Sequence, residues 1–426
     1  MGTVTVATPI PIATRTLDNG LRVTASRDQH SPGIAVNLWY GVGSADDPPG
    51  SAGFAHLFEH LMFAGSAHVR DGQHSVILEA LGGISNATTT PDRTNYFETV
   101  PQGALDLALW LEADRLASLR VSASSLKTQR AVVGEEKRQR YDNQPYGDQL
   151  ELLLALGFPP GHPYATPTIG LMSDLDAASL DDVLAFHAAW YRPDNASLVV
   201  VSPLPDDDVF TAADKFFAGI DASGASPIRT PPPPLKPITG VPRNRVTRPV
   251  PRSVLHLIWR TPTITHPDRP ATGMALDILA AGQACRLHRD LVRTKGIAQG
   301  IAATDFAMAA GSSLGGLSAS PVAGADLAPL EQAMIEHLQT LAADGPTPEE
   351  LRLVRAQIER EWFSELSGLA DRADAINESA VIWGDPAHVN DQFDRYLAVT
   401  TDDVAKAAAT WLSPENRAVL EYLEGK

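Results

Sequence analysis

The chain has one cysteine, Cys285, in 426 residues, so no internal disulfide holds it together. A lone thiol suits a reducing compartment and commonly serves as a small core side chain. No stretch approaches the roughly 18 uninterrupted apolar residues that a membrane-spanning helix needs. The first twenty residues show no basic segment followed by an apolar run, so nothing reads as a secretory signal. These absences point to a cytoplasmic protein, or to a periplasmic one whose signal peptide has been removed. Positive charge is scarce too: 34 Lys and Arg face 51 Asp and Glu, and the net charge of -17 repels nucleic acid and anionic lipid. No nucleic-acid or membrane partner is expected.

What is present is a pattern written twice. "IAVNLWYG" (34–41) alternates as a half-buried strand, and "VLHLIWRT" (254–261) does the same, with Trp39 and Trp259 in matching places at an offset of 220. "LDDVLAFHAAWYRPDNASLVVV" (180–201) reads as helix, turn and β-branched strand. "TDDVAKAAATWLSPENRAVLEYL" (401–423) repeats that order at an offset of 221. Two landmarks sharing nearly one offset predict two homologous halves. Between them, four consecutive prolines in "DASGASPIRTPPPPLKPITG" favour an extended linker. The expected organisation is a first domain over 1–221, a Pro-rich linker over 222–240 and a second domain over 241–426. Strands and helices fall in partly separate runs without regular βαβ alternation. The fold class expected for each half is therefore α+β, a mainly antiparallel sheet packed with helices.

The chemistry concentrates in "GFAHLFEHLMFAGS". On a helix, His56, Glu59 and His60 share one face, and two imidazoles four residues apart can grip one metal ion. The same spacing also fits an amphipathic helix whose histidines merely hydrogen-bond. The second half offers a control, because the offset of 220 carries His56, Glu59 and His60 onto Leu276, Leu279 and Ala280. An apolar trio meets the packing requirement there, so the polar trio in the first half points to a metal site. Two histidines leave it incomplete, and a third ligand must come from elsewhere.

At this point the sequence resembles the inverted zincins, the HxxEH peptidase family of pitrilysin, insulin-degrading enzyme and mitochondrial processing peptidase. The resemblance runs through "LDNGLRV", the "HLFEH" helix, "GGISNATTTPDRTNYFETVP", "LEADRL", "QRAVVGEEKRQRYDNQPYG", "HPYATPTIG" and "YRPDNASLVVV", in family order. It implies a zinc metalloendopeptidase that cleaves peptides or unfolded segments in an enclosed chamber. One zinc ion per chain is held by His56, His60 and a glutamate, with Glu59 activating the zinc-bound water. Two glutamates, Glu135 and Glu136, sit at the family's distance. The pattern favours Glu136, separated from His60 by 75 residues. Asn86 and Ala87 resemble the pair on a strand that adds the substrate peptide as a further strand. Glu112 and Gln129 stand as groups that support the metal site, Gln129 occupying a place where many relatives have glutamate.

One departure concerns the partner. Where the family has an Arg/Tyr pair in its second half, this chain has "VRTKGIAQ" (292–299), with Val292 and Gln299 in those places. A peptidase needs donors for the charge that develops on the scissile carbonyl. The expectation is a heterodimer with a homologous non-catalytic subunit that supplies the Arg/Tyr pair, a homodimer being the other arrangement. The rival reading is a non-catalytic scaffold or assembly subunit of the same fold.

Overall fold

The computed structural model of the chain describes residues 9–222 and 229–425. Residues 223–228 of the expected linker lie outside the described residues. A six-stranded sheet takes β1 (Ala13–Thr16), β2 (Arg22–Arg27), β3 (Gly33–Tyr40), β4 (Ile84–Thr89), β5 (Thr94–Pro101) and β6 (Ala196–Ser202) in the order β1-β2-β6-β3-β5-β4. A five-stranded sheet takes β7 (Arg243–Arg248), β8 (Val254–Thr261), β9 (Ala298–Phe306), β10 (Ser313–Pro321) and β11 (Ala418–Glu424) in the order β7-β11-β8-β10-β9. Each sheet is antiparallel except for one parallel pair, β2 with β6 and β7 with β11. The fold is α+β with two like-ordered sheets.

The repeated landmarks become the same local structures. Helix Leu180–Trp190 starts with Ser179 and Asp182 exchanging hydrogen bonds in a capping box, and helix Thr401–Trp411 starts with Thr400 and Asp403 doing the same. Each box satisfies two of the backbone donors that a helix start would otherwise leave open. Each helix feeds through a Pro-Asp-Asn or Pro-Glu-Asn turn into a strand, β6 or β11, next to the central strand of its sheet.

The chain forms two compact units. The first holds the residues up to Gly134, Thr168–Arg229 and Trp362–Gln392. The second holds Glu135–Pro167, Thr230–Glu361 and the residues from Phe393 onward. One passage between units, Arg229 to Thr230, falls in the Pro-rich stretch; the others fall where the sequence shows no change of composition.

Packing explains the extra segments. All eight residues of β3 are buried, so its sheet needs cover on both faces. On one face Ala35, Val199 and Val201 pack with Ala373, Ala375 and Ile376 of helix Leu369–Glu378. In the second unit, helix Gln149–Gly157 brings Leu153 against Ile258, Ala418, Leu420 and Tyr422. Each Val, Leu or Ile among them contributes roughly 1.5–3 kcal/mol by leaving water. Among the described residues, no helix is long and apolar enough to cross a membrane.

Candidate active site

Helix α1 (Phe54–Leu61) carries the HLFEH run. Its start is fixed by two devices. Gly53, the N-cap, has φ +102°, a left-handed conformation that L side chains rarely adopt. Asp47 reaches over from the preceding loop and accepts the N–H groups of Gly53 at 2.7 Å and Ala55 at 2.9 Å. Burial pushes the Asp47 carboxyl up to about 7, while those backbone donors pull it down. Gly170 backs the same turn, where a Cβ would stand 2.3 Å from the Ala52 carbonyl oxygen.

Along α1, Leu57, Phe58 and Leu61 are fully buried, while Glu59 and His60 are half-buried and His56 is 7% exposed. The His56 and His60 rings meet edge to face with centroids 5.0 Å apart, as i and i+4 on one helical face should. Helix α2 (Gln73–Glu79) and α3 (Leu105–Ser118) precede α4 (Ala123–Lys137). The division between the compact units falls inside α4, but the helix runs unbroken to its last turn, which carries Glu136. Ligand atoms of His56, His60 and Glu136 lie within 4.8 Å of one another. Glu136 also pairs with the exposed Arg140 at 2.8 Å. Glu135 points elsewhere, bonded to Arg138 at 2.7 Å and Gln139 at 2.9 Å on the exposed side of the helix.

Two imidazoles and one carboxylate are the donor set that a catalytic zinc site uses, three protein ligands with a position left open. By that chemistry the residues present fit a zinc ion.

Asn86 and Ala87 lie on β4, the edge strand of the first sheet, opposite Phe97 and Tyr96. Asn86 is exposed, and its Oδ1 accepts the Ala87 N–H at 2.9 Å. The last residue of β4, Thr89, donates its hydroxyl to Glu59 Oε2 at 2.6 Å. Sequence reasoning passed over Thr89; strand alternation places it on the face opposite to Asn86, and only the pairing register shows that this face meets α1. Tyr96 adds a second tie, its phenol donating to the Phe58 carbonyl at 3.1 Å.

Glu112 is wholly buried on α3, where Arg115 donates Nε to it at 2.9 Å. Gln129 lies half-buried on α4, two turns before Glu136. In the second unit, Leu276, Leu279 and Ala280 are buried on helix Arg269–Ala280 within an apolar core. Val292 packs against that core, and the Gln299 amide oxygen accepts from Arg252 at 3.2 Å.

Comparison with known proteins bears on the family and the fold. Residues 22–159 match the family model described as insulinase, peptidase family M16, and residues 177–358 match the one described as the peptidase M16 inactive domain. A zinc protease of Helicobacter pylori, PqqE, is 32% identical over 291 residues, which make up 66% of this chain and 64% of that relative. An uncharacterized zinc protease of Mycobacterium leprae is 29% identical over 80% of this chain and 76% of its own length. Among solved structures, a protease from Helicobacter pylori superposes with a TM-score of 0.90 at 25% identity, covering 98% of this chain and 100% of its own. Pitrilysin superposes at 0.79 with 20% identity, over 99% of this chain and 46% of its own length. With two M16 models spanning most of its length and its fold shared throughout, the chain belongs to the M16 family of pitrilysin-like peptidases.

Proposed function

We propose that this chain is a zinc metalloendopeptidase for peptides and unfolded segments. His56, His60 and Glu136 hold one zinc ion, and the observation that carries the reading is their meeting with Glu59 between them on α1. When bound, zinc supplies a Lewis acid that polarises a carbonyl and acidifies a coordinated water. Glu59 would accept the proton of the attacking water on its carboxylate and pass it to the departing amine nitrogen. Thr89 fixes the carboxylate through Oε2, so the proton acceptor does not swing. The peptide lies as an extra strand beside β4 at Asn86 and Ala87, its backbone satisfied by the strand's open edge. Register with β4 thereby sets which bond faces Glu59.

On the division read from the sequence, the domain of residues 1–221 carries the metal site and the domain of residues 241–426 lacks it. Val292 and Gln299 stand where the family has its arginine and tyrosine, and the reading therefore includes a homologous partner subunit that contributes that pair. Turnover of a quenched fluorogenic peptide by the purified chain, alone and with a homologous chain, tests both parts. Zinc-dependent turnover that rises at least about tenfold with the second chain supports them. A chain that binds zinc, yet cleaves no peptide under either condition, is a scaffold subunit instead.

A further inference from the structure

A second polar cluster, which includes Glu112, is buried among α2, β5 and α3, and no step of the function above uses it. Glu98 on β5, Glu112 and Arg115 on α3, and His74 on α2 are all buried, exposed by 1%, 0%, 2% and 4%. His74 Nε2 stands 3.2 Å from Glu98 Oε1 and 3.8 Å from Glu112 Oε1. The Arg115 guanidinium takes Glu112 in a two-pronged grip and lies 3.6 Å from Glu98. His74, Glu98 and Glu112 bring ligand atoms as close together as a metal site does, but the guanidinium already occupies the cationic place among them.

Arg115 touches more than carboxylates. Its guanidinium carbon lies 4.2 Å from the ring centre of Tyr96 and 5.2 Å from that of Phe63. Both rings hold α1. Tyr96 donates to the carbonyl of Phe58, the residue before Glu59, and the Phe63 N–H bonds the His60 carbonyl at 3.1 Å. His74 belongs to α2, which leans on the edge strand through Ser75 and Ser85 at 3.0 Å. One guanidinium thus sits where the ties to the HLFEH helix and to the helix behind β4 converge.

We propose that Arg115 is a positioning residue: gripped by Glu98 and Glu112, it sets the HLFEH helix at its working distance from the edge strand β4. This rests on the zinc-peptidase reading and deepens it. Lysine cannot replace it, because an ammonium lacks the planar fork that grips a carboxylate while stacking on aromatic faces. The cost of leaving such buried carboxylates poorly paired falls on the elements they join.

The test compares the full chain with Arg115→Lys, and with Glu98→Gln in case the lysine variant fails to fold. Each is loaded with cobalt(II), whose visible spectrum reports ligand geometry, and with zinc for peptide turnover. The expected result is a metal-loaded Arg115→Lys protein whose cobalt bands differ from wild type. Its kcat falls by about 10 to 100-fold, the loss that a displacement near 1 Å brings, with KM changed less than about threefold. Glu98→Gln gives a smaller change of the same kind. Variants with wild-type spectra and kcat, measured below their melting temperatures, overturn the proposal and leave the cluster a purely stabilising role. If wild type binds cobalt but cleaves no peptide, the peptidase reading fails, and the spectral difference alone decides for or against Arg115. A wild type that binds no cobalt overturns both.

Discussion

Thr89 Oγ1 donates to Glu59 Oε2 across 2.6 Å, joining the last residue of an edge strand to the middle of the HLFEH helix. The bond links the residue proposed to move the proton to the strand proposed to hold the peptide. Chemistry and substrate register then share one hinge point.

Thr89→Val keeps the β-branched shape and removes the donor. A hydrogen bond to a charged group contributes about 1.5–3 kcal/mol, so kcat/KM should fall by about 10 to 100-fold. Zinc content stays at wild type, and Thr89→Ser restores most of the activity. Steady-state kinetics beside elemental analysis reads all three outcomes.

The neighbours Glu135 and Glu136 should behave in opposite ways. Glu136→Gln removes a ligand oxygen, and zinc affinity measured by chelator competition drops by more than the roughly 10 to 100-fold typical of merely supporting groups. Glu135→Gln touches only Arg138 and Gln139 on the exposed side, and leaves zinc affinity unchanged.

Asp374 takes three side-chain donors on one oxygen: Asn37 at 3.0 Å, Trp39 at 2.8 Å and Asn95 at 2.7 Å. Asn95 in turn receives the Thr88 N–H of β4 at 3.2 Å. Asp374→Ala leaves these donors without that acceptor, and should destabilise the chain by about 2–4 kcal/mol. Chemical unfolding followed by tryptophan fluorescence, with Trp39 reporting directly, measures it.

Stability should fall as pH rises from about 6.5 to 8. Burial holds Asp47, Asp277 and Glu378 at about 7, all above their unfolded values. Such groups bind more protons folded than unfolded, so their contribution is lost as pH climbs through the folded values. The buried histidines His74, His187 and His256 act oppositely, lowered to about 3, 4 and 4. Their stabilising effect grows only up to the unfolded histidine value of about 6.5, above which the carboxyls act unopposed. Urea midpoints of the metal-free chain at the two pH values give the sign.

Local pattern made much of this legible. The strands read in "IAVNLWYG" and "VLHLIWRT" became β3 and β8, although β3, expected to be half-buried, is buried along its whole length under cover on both faces, and the repeated Asp-Asp-Val segments became two identically capped helices. The HxxEH spacing put two histidines on one face because helical geometry is local. What stayed hidden depends on contacts distant in sequence. Asp47 reaches a helix start six residues on across a Pro-Pro-Gly loop, without the spacing of an ordinary N-cap. Thr89 meets Glu59 through strand register. Asp374 arrives from a helix 279 residues beyond Asn95 to cover a sheet face, and no periodicity announces such a visit. The parallel pairing of β2 with β6 likewise follows from topology alone.

The most direct test of the central claim is zinc content and fluorogenic-peptide turnover, measured together on wild type and Glu59→Gln. The account predicts about one zinc per chain in both proteins, turnover in wild type, and a loss of at least about 100-fold in kcat for the variant, the lower range for removing a general base. A Glu59→Gln protein that keeps its zinc and still cleaves at the wild-type rate would contradict it.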